Sequence, residues 1–197
     1  MRLSQYRALE SERNFHRNYG GQRMLQLLNR FVDLCLLRCG PQHLPRSIGL
    51  MLFSVFAYVI VGRIYSAFFV TAQYSPLRPV FSLLVLVGVP YALVAARGFP
   101  ERFVQTLTAL AGTGCLLSLA ILPMVGAIPG ENVALSGIQE IVYVAFLALY
   151  FWAFVVEGSI YRHALNIPLP LGIALSVLLT IAFMFVDSML FPNLQAS

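Results

Sequence analysis

Five long apolar runs decide what this chain can fold into. They cover roughly 48–71, 79–96, 103–127, 136–160 and 169–191, each long enough to cross about 30 Å of hydrocarbon. Inside lipid every backbone N–H and C=O must pair within the segment, so runs of this kind become helices. The expected fold class is therefore all-α: a polytopic transmembrane helical bundle of five spans, preceded by an interfacial amphipathic helix. The composition agrees. Only 11% of the residues are charged and 59% are hydrophobic, whereas a soluble domain carries about a quarter charged residues. The second run is the weakest, because Pro90 interrupts it beside Gly88. Neighbouring helices can re-satisfy the backbone groups that a proline frees.

Charge placement sets the expected orientation. Eight of the thirteen basic residues, Arg2, Arg7, Arg13, Arg17, Arg23, Arg30, Arg38 and Arg46, precede the first run. All thirteen are arginine. Basic residues that flank apolar segments are explained by the positive-inside rule, so nucleic acid is not an expected partner. With the N-terminus inside, Arg97, Arg102 and Arg162 join the N-terminal arginines on the cytoplasmic side, and Arg78 with Glu131 is left outside. The expected location is the inner (cytoplasmic) membrane of a bacterium, N-terminus cytoplasmic and C-terminus outside.

The chain divides into a polar N-terminal tail at 1–20, a cytoplasmic amphipathic helix and linker at 21–47, a membrane domain at 48–191 and a short outer tail at 192–197. The first 45 residues hold no short apolar stretch followed by a small-residue cleavage site, so insertion is expected to rely on the internal spans. In 21–38, Gln22, Arg23, Gln26, Asn29, Arg30 and Asp33 fall within one helical arc of roughly 120°. Met24, Leu25, Leu27, Leu28, Phe31, Val32, Leu34 and Cys35 fill the rest. Such a helix is too polar to span and is expected in the interface plane, with packing on the bundle as the open alternative. Gly40-Pro41 is expected to end it. Cys35, Cys39 and His43 share a C-x3-C-x3-H spacing, but the Gly-Pro break and the lack of a nearby fourth ligand leave no metal assigned.

Ionisable groups inside spans are candidates by default. From a rise of about 1.5 Å per residue, Arg63 lies about 22 Å up the first span, Asp187 about 26 Å up the fifth, and Glu140 about 6 Å below the outer start of the fourth. Arg63, Glu140 and Asp187 thus share an outer level and form a candidate intramembrane ion-pair layer. Two readings stay open for it, a structural pairing and an ion- or proton-handling site. Glu157 and Arg162 form a candidate pair at the cytoplasmic end. Thr108, Gly112, Gly114 and Ser118 form a candidate helix-packing face, since small residues four apart let helices approach closely. No catalytic, cofactor-binding or metal residue is assigned: the chain has no G-x-x-x-x-G-K-S/T, H-E-x-x-H or G-x-S-x-G. No cofactor is expected, and the chain is not read as an enzyme.

Three stretches carry a resemblance. They are Leu36-Leu37-Arg38-Cys39-Gly40-Pro41 before the membrane, the glycine-rich third span ending Leu122-Pro123, and Tyr150-Phe151-Trp152-Ala153-Phe154 leading to Ala164. Over about 30–191 the order of parts resembles the YIP family, the Ypt/Rab-GTPase-interacting five-span membrane proteins, in a bacterial-type form. The resemblance implies a cytoplasmic N-terminal region, five closely spaced spans and no catalytic residue. The sequence lacks the long acidic or proline-rich N-terminal region of trafficking members and their Asp-Leu-Tyr-Gly-Pro type motif, which argues against GTPase binding.

The expected function is that of a non-enzymatic membrane protein acting through protein–protein contacts, as a scaffold or accessory subunit of a membrane complex. Its expected partners are membrane lipids and either another membrane protein or a second copy of itself. The alternative is a transporter or channel component using the Arg63, Glu140 and Asp187 layer.

Overall fold

The computed structural model describes residues 25–69, 77–127 and 137–191, with backbone alone for 65–69. The polar tail at 1–20, the start of the amphipathic segment, the loop at Gln73, Tyr74 and Pro76, the Pro129-Gly130-Glu131-Asn132 turn and the tail at 192–197 lie outside the described residues.

The described chain is all-helical. Helix α1 covers residues 25–35. It is followed by α2 (Ile48–Phe69), α3 (Leu77–Ala96), α4 (Phe103–Ala127), α5 (Gly137–Leu165) and α6 (Leu169–Leu190). Single 3-10 turns sit at Pro41–His43 and Pro100–Arg102. Among the described residues, four helical stretches are long and apolar enough to cross a membrane: Leu77–Ala96, Pro100–Ala127, Gly137–Leu165 and Leu169–Leu190. Helix α2 runs for 22 residues, and its stretch Ile48–Ile64 is also apolar. Pro90 and Pro123 both sit inside continuous helices. Helix α5 continues past residue 160 because Tyr161, Ala164 and Leu165 are buried in the core, so packing holds the last turn.

Helix α4 is the centre of the bundle, packed against α2, α3 and α5, while α6 packs on α5. The small residues explain both contacts. A Cβ on Gly114 would come within 2.9 Å of the Tyr58 ring, and one on Gly112 would run into the Phe31 ring. Tyr58 of α2 and Phe31 of α1 are thus seated on the two glycines. At the α5–α6 crossing the backbones themselves meet. A Cβ on Gly158 would lie 2.6 Å from the Ile173 nitrogen, and one on Gly172 would run into the Gly158 carbonyl. Four residues beyond Gly172, the Ser176 hydroxyl donates across the same crossing to the Phe154 carbonyl at 3.1 Å.

Three helix ends close in the same way, with the sixth amide bonded back to the first carbonyl. After α3, Gly98 takes φ 77° and Phe99 N–H reaches Val94 O at 2.8 Å. After α5, Asn166 takes φ 55° and Ile167 N–H reaches Arg162 O at 3.1 Å. After α1 the position is held by Leu37, at φ 59°, and Arg38 N–H reaches Asp33 O at 2.8 Å. Helix α1 therefore ends before the expected Gly40-Pro41 break. Leu37 packs against the core cluster, and that burial offsets a left-handed penalty of about 1–2 kcal/mol.

Candidate functional site

Chain direction divides the bundle into two ends. One gathers the 41–46 segment, the starts of α4 and α6 and the end of α5; it is rich in arginine. The other gathers the start of α3 and the end of α6.

At that second end the geometry reassigns an expected partner. Asp187 is buried, 6% exposed, and receives a fork from Arg78: Nε to Oδ1 at 3.0 Å and Nη2 to Oδ2 at 2.6 Å. Arg78, just ahead of the expected second run at 79–96, is the second residue of α3. Phe81 of α3 stacks on Phe183 of α6 at 5.6 Å beside this pair. The expected layer of Arg63, Glu140 and Asp187 is therefore not the arrangement around Asp187. Position along a helix does not say which helices are neighbours. Arg63 and Glu140 are both exposed.

The expected pair of Glu157 and Arg162 is also replaced. Among the described residues, ion pairs join Arg38 to Asp33 and Arg78 to Asp187. Five residues apart on a helix is about 140° around the axis. Arg162 instead lines the cavity at the arginine-rich end. The expected packing face is used inside the bundle: Gly112 and Gly114 seat Phe31 and Tyr58, and Thr108 is fully buried with its hydroxyl on the Val104 carbonyl at 2.6 Å. Ser118 is half-buried on the same helix.

Helix α1 is docked on the bundle rather than free of it. Phe31 and Leu34 are buried, and the Trp152 indole of α5 donates to the Cys35 carbonyl at 2.8 Å. The Arg30 guanidinium donates to the His43 carbonyl, and the Cys39 thiol donates to the Arg30 carbonyl at 3.7 Å. His43 Nδ1 faces its own turn at Gly40. These contacts give Cys39 and His43 structural partners within the 30–43 segment. Burial pushes the Cys35 thiol up to about 11. Cys39 is raised as well, first by burial and then by the charge of Asp33.

Gln105, which the sequence reading passed over, and Arg102, which it placed at this end without a partner, fix the arginine-rich end. The buried Gln105 donates from Nε2 to the Leu44 carbonyl at 2.7 Å and to the Gln42 carbonyl at 3.3 Å. Its Oε1 accepts from Arg46 Nε at 3.3 Å. One amide thus staples the 42–46 segment onto α4. Arg102 Nη1 donates to the carbonyls of His163 and Ala164 at 3.1 and 3.3 Å. It satisfies orphan carbonyls at the α5 C-terminus and sets a cation against the negative end of that helix. A glutamine one turn into an apolar helix was the available signal for the first of these. A buried amide in such a place must find backbone partners.

Between these elements lies a cavity of about 650 Å³, lined among others by Arg46, Arg102, Gln105, Arg162, His163 and Asn166. No protein-family model, curated protein or solved structure matches the chain.

Proposed function

We propose that this chain is a five-span integral membrane protein that acts without catalysis, through contacts made at its cytoplasmic face, as a scaffold or accessory subunit of a membrane complex. In this reading α2 is the fifth span. Its 22 residues extend about 33 Å at 1.5 Å per residue, enough for the hydrocarbon core. The arginine-rich end lies inside, in line with the positive-inside rule, and the C-terminus lies outside. Membership of the YIP family, on the order of parts, belongs to the same reading, as does residence in a bacterial inner membrane.

One observation carries it. Three hydrogen-bonded links between segments distant in sequence meet at the arginine-rich end, Gln105 to Leu44, Arg46 to Gln105 and Arg102 to the α5 carbonyls, and the bond from Trp152 to Cys35 ties α1 to α5 further along the bundle. They hold α1 and the 41–46 segment rigidly against the bundle. A preordered surface lowers the entropic cost of association, which suits a platform for a partner. Helix α1 supports the same reading. Phe31 and Leu34 are docked, Leu25, Leu28, Val32 and Leu36 are exposed apolar residues, and Gln26, Asn29 and Arg30 are exposed polar ones. It is shaped for the corner where protein, lipid and water meet. The transport alternative built on Arg63, Glu140 and Asp187 has less to rest on, because Asp187 is engaged by Arg78.

The test is purification of the full chain from its native membrane in a mild detergent, followed by mass measurement of the intact particle. A stoichiometric second membrane protein, or a defined homo-oligomer, is the expected result. A free monomer under conditions that preserve known membrane complexes overturns the proposal.

A further inference from the structure

We propose that the cavity at the arginine-rich end binds a phosphate-bearing anion, the chemistry shared by an anionic phospholipid headgroup and a free phosphate ester.

The cavity is lined by three arginines, Arg46, Arg102 and Arg162, together with His163, and among the described residues no carboxylate lines it. Each guanidinium carries five N–H donors and stays charged at any physiological pH. Arg46 uses Nε on Gln105, and Arg102 uses Nη1 on the α5 carbonyls. Their remaining N–H groups are left for another acceptor, and the bonds already made hold the two planes in place. His163 Nδ1 lies 2.8 Å from the Ser159 carbonyl. That bond places a proton on Nδ1, and the contacts to the anion are assigned to the arginines. Like charges brought around one cavity repel, and an anion with several acceptor oxygens relieves that repulsion through charge-assisted bonds.

Size and setting fit the same class. A volume of about 650 Å³ lies within the range of about 300–1,000 Å³ typical of small-molecule sites. Pro168 at the rim leads directly into α6, whose Leu171 and Leu178 are exposed. A phospholipid with its phosphate in the cavity would find an apolar track there for its chains. Basic pockets between helix ends on the cytoplasmic side recognise anionic headgroups in this manner. The proposal is separate from the contact-based reading above: either can fail while the other stands.

The experiment uses the full chain in a neutral detergent. Four probes are added separately: phosphatidylglycerol, phosphatidylcholine, glycerol 3-phosphate, and chloride at matched ionic strength. Retention is read by native mass spectrometry and by thermal shift. The expected result is retention of phosphatidylglycerol or glycerol 3-phosphate at least about tenfold better than its control. Arg46→Gln and Arg162→Gln should each reduce that retention about tenfold, the usual scale for one lost charge-assisted bond. Arg162→Gln serves as the folding-safe variant, because its exposed side chain caps no helix. Arg38→Gln and Arg97→Gln, outside the cavity, should leave retention unchanged. Preference for the lipid alone identifies a headgroup site, and preference for the soluble ester identifies a free-phosphate site; both support the proposal. Equal retention of all four probes, or an equal loss with Arg97→Gln and Arg162→Gln, overturns it.

Discussion

Gly172→Ala should separate α5 from α6. The added Cβ would meet the Gly158 carbonyl oxygen, with the Gly158 carbonyl carbon at 3.1 Å and the Arg162 nitrogen at 3.3 Å behind it. These are backbone atoms and cannot rotate away. Ordinary carbon contacts need about 3.5–4.0 Å, so the helices must part by about 1 Å, and a gap of that size forfeits a quarter to a half of each contact's dispersion energy. The expected destabilisation is about 1–3 kcal/mol, the usual range for overpacking. The Ser176 bond to Phe154 crosses the same junction and would stretch with it, adding about 0.6 kcal/mol. Gly158→Ala should cost a similar amount through the Ile173 backbone. The double variant should cost less than the sum, because both substitutions demand the same separation. Gly62→Ala and Gly88→Ala are the matched controls. A Cβ at either position meets nothing within 4 Å, so each should be neutral or stabilising by about 0.4–1 kcal/mol through the unfolded chain. The assay is equilibrium unfolding in detergent followed by the emission of Trp152, the chain's one tryptophan. Equal effects at Gly172 and Gly88 would refute the close-crossing argument.

Removing the two partners of the Arg78–Asp187 pair should have unequal effects. Arg78→Leu leaves a carboxylate that is 6% exposed and should cost about 3–5 kcal/mol, as for a broken buried pair. Asp187→Asn leaves a guanidinium with 36% side-chain exposure and should cost nearer 1 kcal/mol; unfolding of the two single variants tests the order. Leu37→Gly should change stability by less than about 1 kcal/mol, because relief of the left-handed strain and loss of the side chain's packing offset each other, and a loss of more than about 2 kcal/mol on unfolding would refute that balance. Alkylation of Cys35 by iodoacetamide at pH 8 should run about a hundredfold slower than that of a free thiol, since its value of about 11 lies two units above the ordinary 9.0 and the thiolate is the nucleophile. The rate should climb until the pH passes 11, and a plateau near pH 9 would contradict the burial.

The helices themselves were legible in the apolar runs. Observed and expected boundaries at α4 coincide, at Phe103 and Ala127, because charged turns interrupt hydropathy abruptly. The small-residue face on α4 was legible for the same reason, as Gly112 and Gly114 stand out in an apolar run. The equivalent Gly158 and Gly172 were passed over. They lie singly on two helices, and only the α5–α6 crossing makes them one feature. The arginine-rich cavity was half legible. Net basicity at that end followed from the loop arginines, but Gln105 and Arg102 acquire their roles through carbonyls of segments about 60 residues away.

The apolar runs, then, determined the helical nature and approximate length of these segments, four of which are long and apolar enough to cross a membrane among the described residues, because backbone satisfaction in an apolar medium is a local requirement that hydropathy reports directly. Which helices touch was decided by the tertiary structure alone. Asp187 could be given a position in its run, yet that position did not show that Arg78 of α3 engages it. The same holds for α1, whose wheel shows an apolar face but not that Phe31 seats on Gly112. Depth is a one-dimensional property of the chain. Adjacency depends on side-chain shape across helices, and that exists only once the bundle is assembled.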